Sequence, residues 1–526
     1  MRVSAQAGGS GPARAASAPL LLAAVALACL AHQEARADDP RPLVNAASGM
    51  LRGVALEGGG AAFRGIPFAA PPVGNLRWRE PMPATAWSGV RDAGKSGPPA
   101  AQARFGWNDG AADASSEDCL YLDVWTPQLH PSSPLPVMVW IHGGANVAGS
   151  GGFDPLYDGR ALIGRGVVLV VVEYRVGIFG FFAHPELTLE SPHHASGNYG
   201  IMDQVAALRW VRDNISAFGG DGANVTVFGQ SAGAVDTLAL MTTPLAKGLF
   251  GRAISESGPV YPAFMTPPLD KAEHAGAVAF LRSLPASALL KGAAYQASID
   301  VDGWVLPLSP WTVFARGAEA RVPLIIGSAA VEGQGEGSAA AARRMLGETF
   351  RELAPRALAL YGLSGEGEPG PDSLYGSIGE QVSSDRTRCA AIIEGEWHHL
   401  AGARVWEYEF DRAIPGQPHA HHSSDLPYVF GNFPASGGLG GEYREEDRRL
   451  SETIRRFWTN FARTGDPNGP GLPGWPSYDA KGRGYMVFTT AGGAEPGASQ
   501  RGPQTDLYRE LMGGWARLEA LPGAPP

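Results

Sequence analysis

One serine in the sequence stands in a setting that suits a nucleophile. Residues 229–233 read Gly-Gln-Ser-Ala-Gly, which places Ser231 at the centre of a G-x-S-x-G pattern. This pattern forms a sharp turn between a strand and a helix, and its glycines leave room for the strained backbone of the serine. Residues 224–228 have the character of a strand, and residues 234–241 that of a helix. The context therefore predicts a catalytic nucleophile at Ser231 and not merely a tight structural turn.

A second glycine-rich turn lies upstream of this serine. Residues 142–145 read His-Gly-Gly-Ala and follow an apolar run that ends at Ile141. The backbone N–H groups of such a turn can stabilise the negative charge that develops on a carbonyl oxygen when a serine attacks it. By itself the motif could equally be a plain glycine turn. Upstream of a nucleophile turn, it indicates an oxyanion hole.

The elements that must hold these two turns alternate along the chain. Short apolar runs, several of them nearly continuous in β-branched residues, are typical of parallel strands buried on both faces. The strands predicted in this way cover residues 120–125, 137–141, 167–173, 225–228, 253–255, 324–326 and 405–410. Apolar residues spaced three or four apart predict helices over residues 201–218 and 450–461. The alternation predicts an α/β fold.

Three further segments carry weaker expectations. We expect residues 51–54 to form an edge strand. The stretch from Gly333 to Gly379 is rich in Gly and Ala, and the stretch from Gly431 to Gly441 is rich in Gly. We expect both stretches to be insertions or loops, since glycine favours turns.

The N-terminal residues have the features of a secretion signal. Two arginines precede an apolar run over residues 18–31, and residues 35–37 read Ala-Arg-Ala, a small-x-small cleavage site. We expect residues 1–37 to be removed as a signal peptide, leaving residues 38–526 as a single domain, secreted or periplasmic. The apolar run is shorter than the about 20 residues that span a bilayer. No later segment is apolar enough to form a membrane span.

Charge and cysteine content exclude two classes of function. The formal net charge is −10, and loss of residues 1–37, which carry three Arg and one Glu, shifts it from −10 to −12. Proteins that bind nucleic acids need clusters of Lys and Arg for the phosphates, so we expect no nucleic-acid partner. Only Cys119 and Cys389 remain after processing. Two distant cysteines are too few for a disulfide framework or a zinc site.

These motifs together resemble the type-B carboxylesterase family, which includes cholinesterases and bacterial para-nitrobenzyl esterases. The resemblance extends from about Val44 to Leu511 and includes further landmarks at Glu117–Val124, Tyr174–Gly177, Asn198–Gly200, Phe218–Asp221 and Trp458–Phe461. It implies the α/β-hydrolase fold, with a large, mostly parallel central sheet, helices on both faces and active-site loops at its carboxyl edge. It also implies that the protein hydrolyses small-molecule carboxylic esters without cofactor or metal.

The resemblance supplies partners for Ser231. Residues 327–333 occupy the place of the family's segment that carries the acid, which makes Glu332 the triad acid. Residues 422–431 resemble the family's histidine loop, which makes His422 the base. The order Ser, Glu, His along the chain is the order that this fold uses. The oxyanion hole carried over from the family consists of the backbone N–H groups of Gly144, Ala145 and Ala232.

Nearby residues leave alternatives open. Glu336 is a rival acid four residues after Glu332, although only Glu332 stands at the family's distance from the end of the strand. His421 is a rival base, although only His422 is in register with the rest of the loop. His419, His421 and His422 could also bind a metal ion, although a solvated loop is the commoner role of such a cluster.

The sequence departs from the family at several positions. The family usually pairs the cysteine at Cys119 with one in a preceding loop, but Ala100 and Ala101 stand in that place, so we expect Cys119 to be a buried thiol. Asp236 replaces a usual Ser, and Glu173 replaces a usual Asn. We interpret Asp236 as part of a polar network behind the nucleophile, with a solvated helix face as the alternative.

The same family resemblance allows an alternative hypothesis, that the protein is catalytically inactive. Some relatives are adhesion or binding modules without catalytic activity, and these proteins typically lose the nucleophile or the base. All three triad side chains are present in this chain. The sequence therefore favours a serine carboxylesterase over a catalytically inactive, cholinesterase-like binding module.

Overall fold

The apolar runs of the sequence form the centre of one large sheet in the computed structural model. The structure describes residues 40–260, 265–266, 276–291, 299–333, 337–367, 369–372 and 375–519. Within them the strands are β1 (Leu43–Ala46), β2 (Gly49–Arg52), β3 (Val54–Ala55), β4 (Ala61–Pro67), β5 (Val90–Asp92), β6 (Tyr121–Thr126), β7 (Leu135–Ile141), β8 (Val168–Val172), β9 (Gly220–Gln230), β10 (Arg252–Glu256), β11 (Met265–Thr266), β12 (Ile299–Asp300), β13 (Leu324–Ala329), β14 (Val405–Phe410), β15 (Gly484–Phe488) and β16 (Ala494–Ala498).

Helices fill most of the connections between these strands. In the same residues they are α1 (Asp109–Ala114), α2 (Arg160–Ile163), α3 (Gly177–Phe181), α4 (Pro185–Glu190), α5 (Tyr199–Asn214), α6 (Ala232–Thr242), α7 (Ala277–Ser283), α8 (Ala286–Lys291), α9 (Pro310–Ala315), α10 (Ala339–Phe350), α11 (Ala354–Leu360), α12 (Ile378–Leu400), α13 (Leu426–Phe430), α14 (Glu445–Thr464) and α15 (Gly502–Glu519). None of the helices in this part of the chain is long and apolar enough to cross a membrane.

The main sheet is parallel at its centre and antiparallel at its margins. Within the described residues it has the order β16-β15-β14-β13-β10-β9-β7-β8-β6-β4-β3. The run from β15 to β8 pairs in parallel throughout. The strands β6, β4 and β3 at one side and β16 at the other pair antiparallel with their neighbours. The carboxyl ends of the parallel strands therefore meet at one edge of the sheet, where this topology places ligand sites.

Both faces of the central strands are covered by helices. Along β7, Val137, Val139 and Ile141 belong to one hydrophobic cluster, which also contains the apolar side chains of α5. The alternating residues Met138 and Trp140 belong to a second cluster, which contains the apolar side chains of α14. Successive side chains of a strand point to opposite faces. This alternation therefore shows why the strands are apolar at almost every position.

The structure confirms the α/β fold and corrects two local predictions. Residues 51–54 do not form one edge strand, because β2 is the middle strand of a small sheet with β1 and β5, and only β3 lies at the edge of the main sheet. The stretch from Gly333 to Gly379 is not simply a loop, because it contains α10 and α11. Alanine favours helices, and the Ser338 hydroxyl caps α10 by accepting a hydrogen bond from Ala341 N. The stretch 431–441 contains neither helix nor strand.

The described residues from Pro42 onwards form one compact unit. The segment predicted to be a signal peptide, residues 1–37, lies outside the described residues.

Candidate active site

Ser231 lies on a strained turn between β9 and α6. Its φ is 58° and its ψ is −126°, a region that residues other than glycine rarely adopt. Gly229 and Gly233 are required because a Cβ at these positions would lie 2.3 Å from the Gly233 oxygen and 2.0 Å from the Ile141 oxygen, respectively. The Ser231 N–H donates to the carbonyl of Glu256 on β10 at 2.8 Å. The surrounding strands therefore hold the serine in the turn that the G-x-S-x-G pattern predicts.

His422 lies between Ser231 and Glu332. Its Nε2 is 2.8 Å from Oγ of Ser231, and its Nδ1 is 2.5 Å from Oε2 of Glu332. Glu332 comes shortly after β13 and His422 comes in the loop after β14, and these strands are parallel neighbours. Ser231 follows β9, which is separated from β13 only by β10. Distant chain segments thus meet because their strands end at the same edge of the sheet.

Charge and burial act together on Glu332 and His422. The Glu332 side chain is fully buried, whereas 32% of the His422 side chain is exposed. Burial acts to raise the pKa of Glu332, but the adjacent His422 lowers it below its ordinary value. Burial acts to lower the pKa of His422, but the Glu332 carboxylate raises it above its ordinary value. The pair therefore favours a charged carboxylate and makes His422 a stronger base.

The rival base His421 is not part of these contacts. Glu336 lies outside the described residues. The ring of His421 packs edge-on to that of His419, with centroids 6.2 Å apart, and burial lowers the pKa of His421. In the described part of the chain, no group of three or more His, Cys, Asp and Glu side chains is arranged to hold a metal ion. His422, and not His421, contacts Ser231.

The loop after β7 lies directly against the nucleophile. A Cβ on Gly143 would lie 3.0 Å from Cβ of Ser231, so no side chain fits there. The loop then turns sharply, with φ values of 112° at Gly144 and 56° at Ala145. The Gly144 carbonyl accepts hydrogen bonds from the two N–H groups that close the turn. Within the described residues, the N–H groups of Gly144, Ala145 and Ala232 donate to no other protein group.

Asp236 belongs to a buried network behind this loop. Its Oδ1 accepts a 2.9 Å hydrogen bond from Nδ2 of Asn146, and its Oδ2 accepts a 2.6 Å bond from Nε2 of Gln204. The hydroxyl of Tyr174 lies 3.1 Å from Oδ1 of Asn146 and 2.8 Å from the His142 carbonyl. Burial raises the pKa of Asp236 to about 7. Asp236 therefore lies in a buried polar network and not on a solvated helix face.

Comparison with known proteins identifies the family. Residues 40–501 match the carboxylesterase family. The chain belongs to the carboxylesterase family. It is 37% identical to the para-nitrobenzyl esterase of Bacillus subtilis (strain 168), over 85% of this chain and 94% of that protein. It is 35% identical to the fumonisin B1 esterase of Sphingopyxis macrogoltabida, over 88% of this chain and 89% of that protein.

Solved structures of carboxylesterases have the same fold. A carboxylesterase of Geobacillus stearothermophilus aligns with a TM-score of 0.75 at 33% identity, covering 89% of this chain and all of that one. A para-nitrobenzyl esterase structure aligns with a TM-score of 0.73 at 33% identity, over 89% of this chain and 99% of that one. The α/β-hydrolase fold is thereby confirmed, and the protein is a carboxylic-ester hydrolase.

Some residues of this carboxylesterase site carry no sequence signal. The hydroxyl of Ser384, on α12, accepts a 2.8 Å hydrogen bond from the backbone N–H of Glu332. A single serine on a helix belongs to no motif, so only the structure reveals it. Trp107, by contrast, lies in the loop before Cys119, where the family resemblance places aromatic groups; it is 65% exposed, and its ring is 3.3 Å from where a Cβ on Gly144 would lie.

Neither cysteine is part of the contacts that join Ser231, His422 and Glu332. Cys119 and Cys389 are both buried and free. Burial raises the pKa of each thiol, so neither is a reactive thiolate.

Proposed function

We propose that this carboxylesterase hydrolyses small carboxylic esters through an acyl-enzyme on Ser231. The observation that carries the proposal is the continuous contact from Oγ of Ser231 through His422 to Glu332, at 2.8 and 2.5 Å. As Oγ attacks the ester carbonyl carbon, Nε2 of His422 accepts its proton. The same imidazole then donates this proton to the leaving alcohol, and the acyl group stays on Ser231.

Glu332 and the oxyanion N–H groups have separate roles in this scheme. Glu332 orients the imidazole and stabilises its protonated form, which the raised pKa of His422 reflects. The N–H groups of Gly144, Ala145 and Ala232 donate hydrogen bonds to the negatively charged oxygen of the tetrahedral intermediate. They are available for this role because they have no competing protein acceptor in the described residues. A water molecule, activated by His422, then releases the acid and regenerates Ser231. Every step uses protein groups and water.

The surroundings of the site suit apolar substituents on the ester. Trp107 lies next to the loop after β7 (residues 142–149, called the oxyanion loop below), Phe105 stacks on it with ring centroids 6.4 Å apart, and both rings are exposed. Aromatic rings next to a reacting centre bind apolar groups by burial and stacking. We infer that esters with apolar acyl or alcohol groups are turned over more efficiently than polar ones.

The processing of the chain is a separate part of the proposal. We propose that residues 1–37 are a signal peptide and that residues 38–526 form the exported enzyme as a single domain, as the cleavage site over residues 35–37 indicates. N-terminal sequencing of the protein exported from its source cells tests this, with Asp38 expected as the first residue.

Covalent labelling tests the nucleophile. A fluorophosphonate should add one equivalent to the active enzyme, and tryptic mass spectrometry should place the adduct on Ser231, because the probe reacts with activated serines. Ser231→Ala is the matched control and should take up no label. An active enzyme labelled at another serine would refute the assignment. A protein that is neither labelled nor active would favour the inactive binding module.

A further inference from the structure

A second pair of titratable side chains is buried beside the oxyanion loop. His142 follows β7 and Glu173 follows β8, and the last residues of these parallel strands, Ile141 and Val172, are paired in register. Nε2 of His142 and Oε2 of Glu173 lie 3.9 Å apart, and the two side chains are only 1% and 3% exposed. Neither atom has another hydrogen-bond partner among the described residues. Because buried polar atoms are normally hydrogen-bonded, two such atoms that lie opposite each other without a partner indicate a shared hydrogen between them.

The other contacts of His142 determine where its own proton lies. Nδ1 of His142 is 2.8 Å from the carbonyl oxygen of Gly143. A carbonyl oxygen only accepts, so Nδ1 carries the hydrogen and Nε2 of the neutral ring is an acceptor. Oε1 of Glu173 accepts from the N–H of Gly152 at 2.8 Å and from the Ser150 hydroxyl. The proton between the pair must therefore come from Oε2 of Glu173.

We propose that Glu173 is a positioning residue for the oxyanion loop and acts in its protonated form, donating a hydrogen bond to Nε2 of His142. The separation of 3.9 Å is about 1 Å longer than such a bond, and a small change in the torsions of the Glu173 side chain closes it. The protonated carboxyl fixes the ring of His142 in the form with hydrogen on Nδ1. This inference rests on the proposed role of the loop as the oxyanion hole.

The peptide bond between Gly143 and Gly144 links the His142 ring to the Gly144 N–H, one of the proposed oxyanion donors. The Gly143 carbonyl and the Gly144 N–H belong to one trans peptide unit and point in opposite directions. A hydrogen bond from Nδ1 of His142 to the Gly143 oxygen therefore also fixes the direction of the Gly144 N–H. Stacking of the His142 ring on Tyr174, with centroids 4.4 Å apart, restrains the ring itself.

Burial supports the neutral form of both groups. It raises the pKa of Glu173 to about 8 and lowers that of His142 to about 4. Asp123, on β6, raises the pKa of Glu173 further. The other titratable groups that face Glu173 are Tyr157, Tyr174 and Cys119, whose pKa values are themselves raised by burial, so these groups remain neutral.

Ionisation of Glu173 disturbs the loop. A carboxylate attracts the form of His142 that carries hydrogen on Nε2, which removes the hydrogen from Nδ1. The Gly143 oxygen then faces a lone pair and loses its donor, so the Gly144 N–H is no longer held in place. Removal of one oxyanion donor costs about 10²–10³ in turnover in enzymes of this type. A misaligned donor should therefore cost about tenfold or more.

The variant Glu173→Gln separates this role from a merely structural one. The Gln amide has the same shape, and its NH2 can donate to Nε2 of His142 at every pH. Wild-type kcat on an aryl ester should fall about tenfold as pH rises from 7.5 to 10, whereas E173Q should retain at least about half of its kcat over this range. Wild type and E173Q declining together with pH would overturn the proposal.

Glu394→Gln is the matched control. Glu394 is also buried, accepts a 2.9 Å hydrogen bond from Val260 N, and has a pKa raised by burial. For both carboxyls the folded pKa lies above the unfolded one, so stability falls as pH rises between the two values. Both Gln variants should therefore raise Tm at alkaline pH, but only E173Q should flatten the profile of kcat. An E394Q variant with the same flattened profile would overturn the proposal, whereas an active S231A would refute the proposed function instead.

Discussion

Asn146 donates a 2.9 Å hydrogen bond from Nδ2 to Oδ1 of Asp236 across 90 residues of chain. This bond joins the oxyanion loop to α6, the helix that begins immediately after the nucleophile. The second oxygen of Asp236 accepts from Gln204 on α5, so a single carboxylate connects three elements behind the site. The relative positions of Ser231 and the loop therefore depend on a side chain that is not part of the triad.

Asp236→Ala should destabilise the protein and slow hydrolysis. Two buried amide groups, those of Asn146 and Gln204, would lose their acceptor, which costs about 2–5 kcal/mol in total. Turnover should also fall about tenfold, because the loop is less well held. Urea unfolding and steady-state kinetics at pH 8, above the pKa of Asp236 of about 7, measure both effects.

The control for this variant is Asp213→Ala. The Asp213 side chain is 53% exposed and, among the described residues, pairs with its neighbour Arg212. A change at such a site should alter the free energy of unfolding by no more than about 0.5 kcal/mol. A D236A variant as stable and active as D213A would show that the network has no role in the site.

Glu332→Gln should reduce turnover by several orders of magnitude, because the imidazolium that forms during attack loses its charged partner. The contact of 2.5 Å between Oε2 of Glu332 and Nδ1 of His422 is the basis of this expectation. Glu336→Gln is the matched control and should be close to wild type in kcat. An active E332Q together with a crippled E336Q would mean that the acid lies four residues further along the chain.

Hydrolysis should depend on one group that must be deprotonated, the imidazole of His422. Its pKa lies above the ordinary value of about 6.5 because the Glu332 carboxylate outweighs burial. The value of kcat/KM should therefore fall with a slope of one as pH drops through this raised pKa. The ion pair also stabilises the fold, but with the opposite dependence on pH. Its contribution to the free energy of unfolding is present below the pKa of the unfolded histidine and is lost as pH rises through the pKa of the folded one.

The acid side of the pH–rate profile also tests which group raises the pKa of His422. In E332Q the Glu332 carboxylate is gone and only the weaker effect of Asp425 opposes burial, so the pKa of His422 should fall and the residual activity should persist to lower pH. A pH–rate profile of E332Q with the wild-type acid limb would show that Glu332 does not set the pKa of His422.

The sequence was sufficient for the fold and for most of the site because the relevant signals are local. Several of the parallel strands are nearly continuous β-branched runs, and the strained backbone at Ser231 requires the glycines that make its motif visible. The helices α10 and α11 lie in a stretch that the sequence predicts to be an insertion or a loop, because glycine and alanine occur together there although alanine favours helices and glycine disfavours them. Glu173 and His142 could not be paired from sequence, because only the register of β7 against β8 brings them together.

The two cysteines should be free and protected in the native enzyme. Cys119 and Cys389 are both fully buried, so a water-soluble thiol reagent should label neither before unfolding and both afterwards in the mature protein. Reducing agents should leave Tm unchanged. Mass spectrometry that detects a bridge between Cys119 and Cys389 in the unreduced enzyme would contradict this prediction.

The turnover of Ser231→Ala on a simple aryl ester tests the central claim most directly. Because the triad acts as a unit, kcat should fall by about 10⁴-fold or more while the far-UV spectrum and Tm stay as in wild type. Ser255→Ala is the control, since the Ser255 hydroxyl is buried on β10 and has no hydrogen-bond partner among the described residues; it should keep wild-type kcat. A folded S231A enzyme that retains a tenth of wild-type turnover would contradict the account.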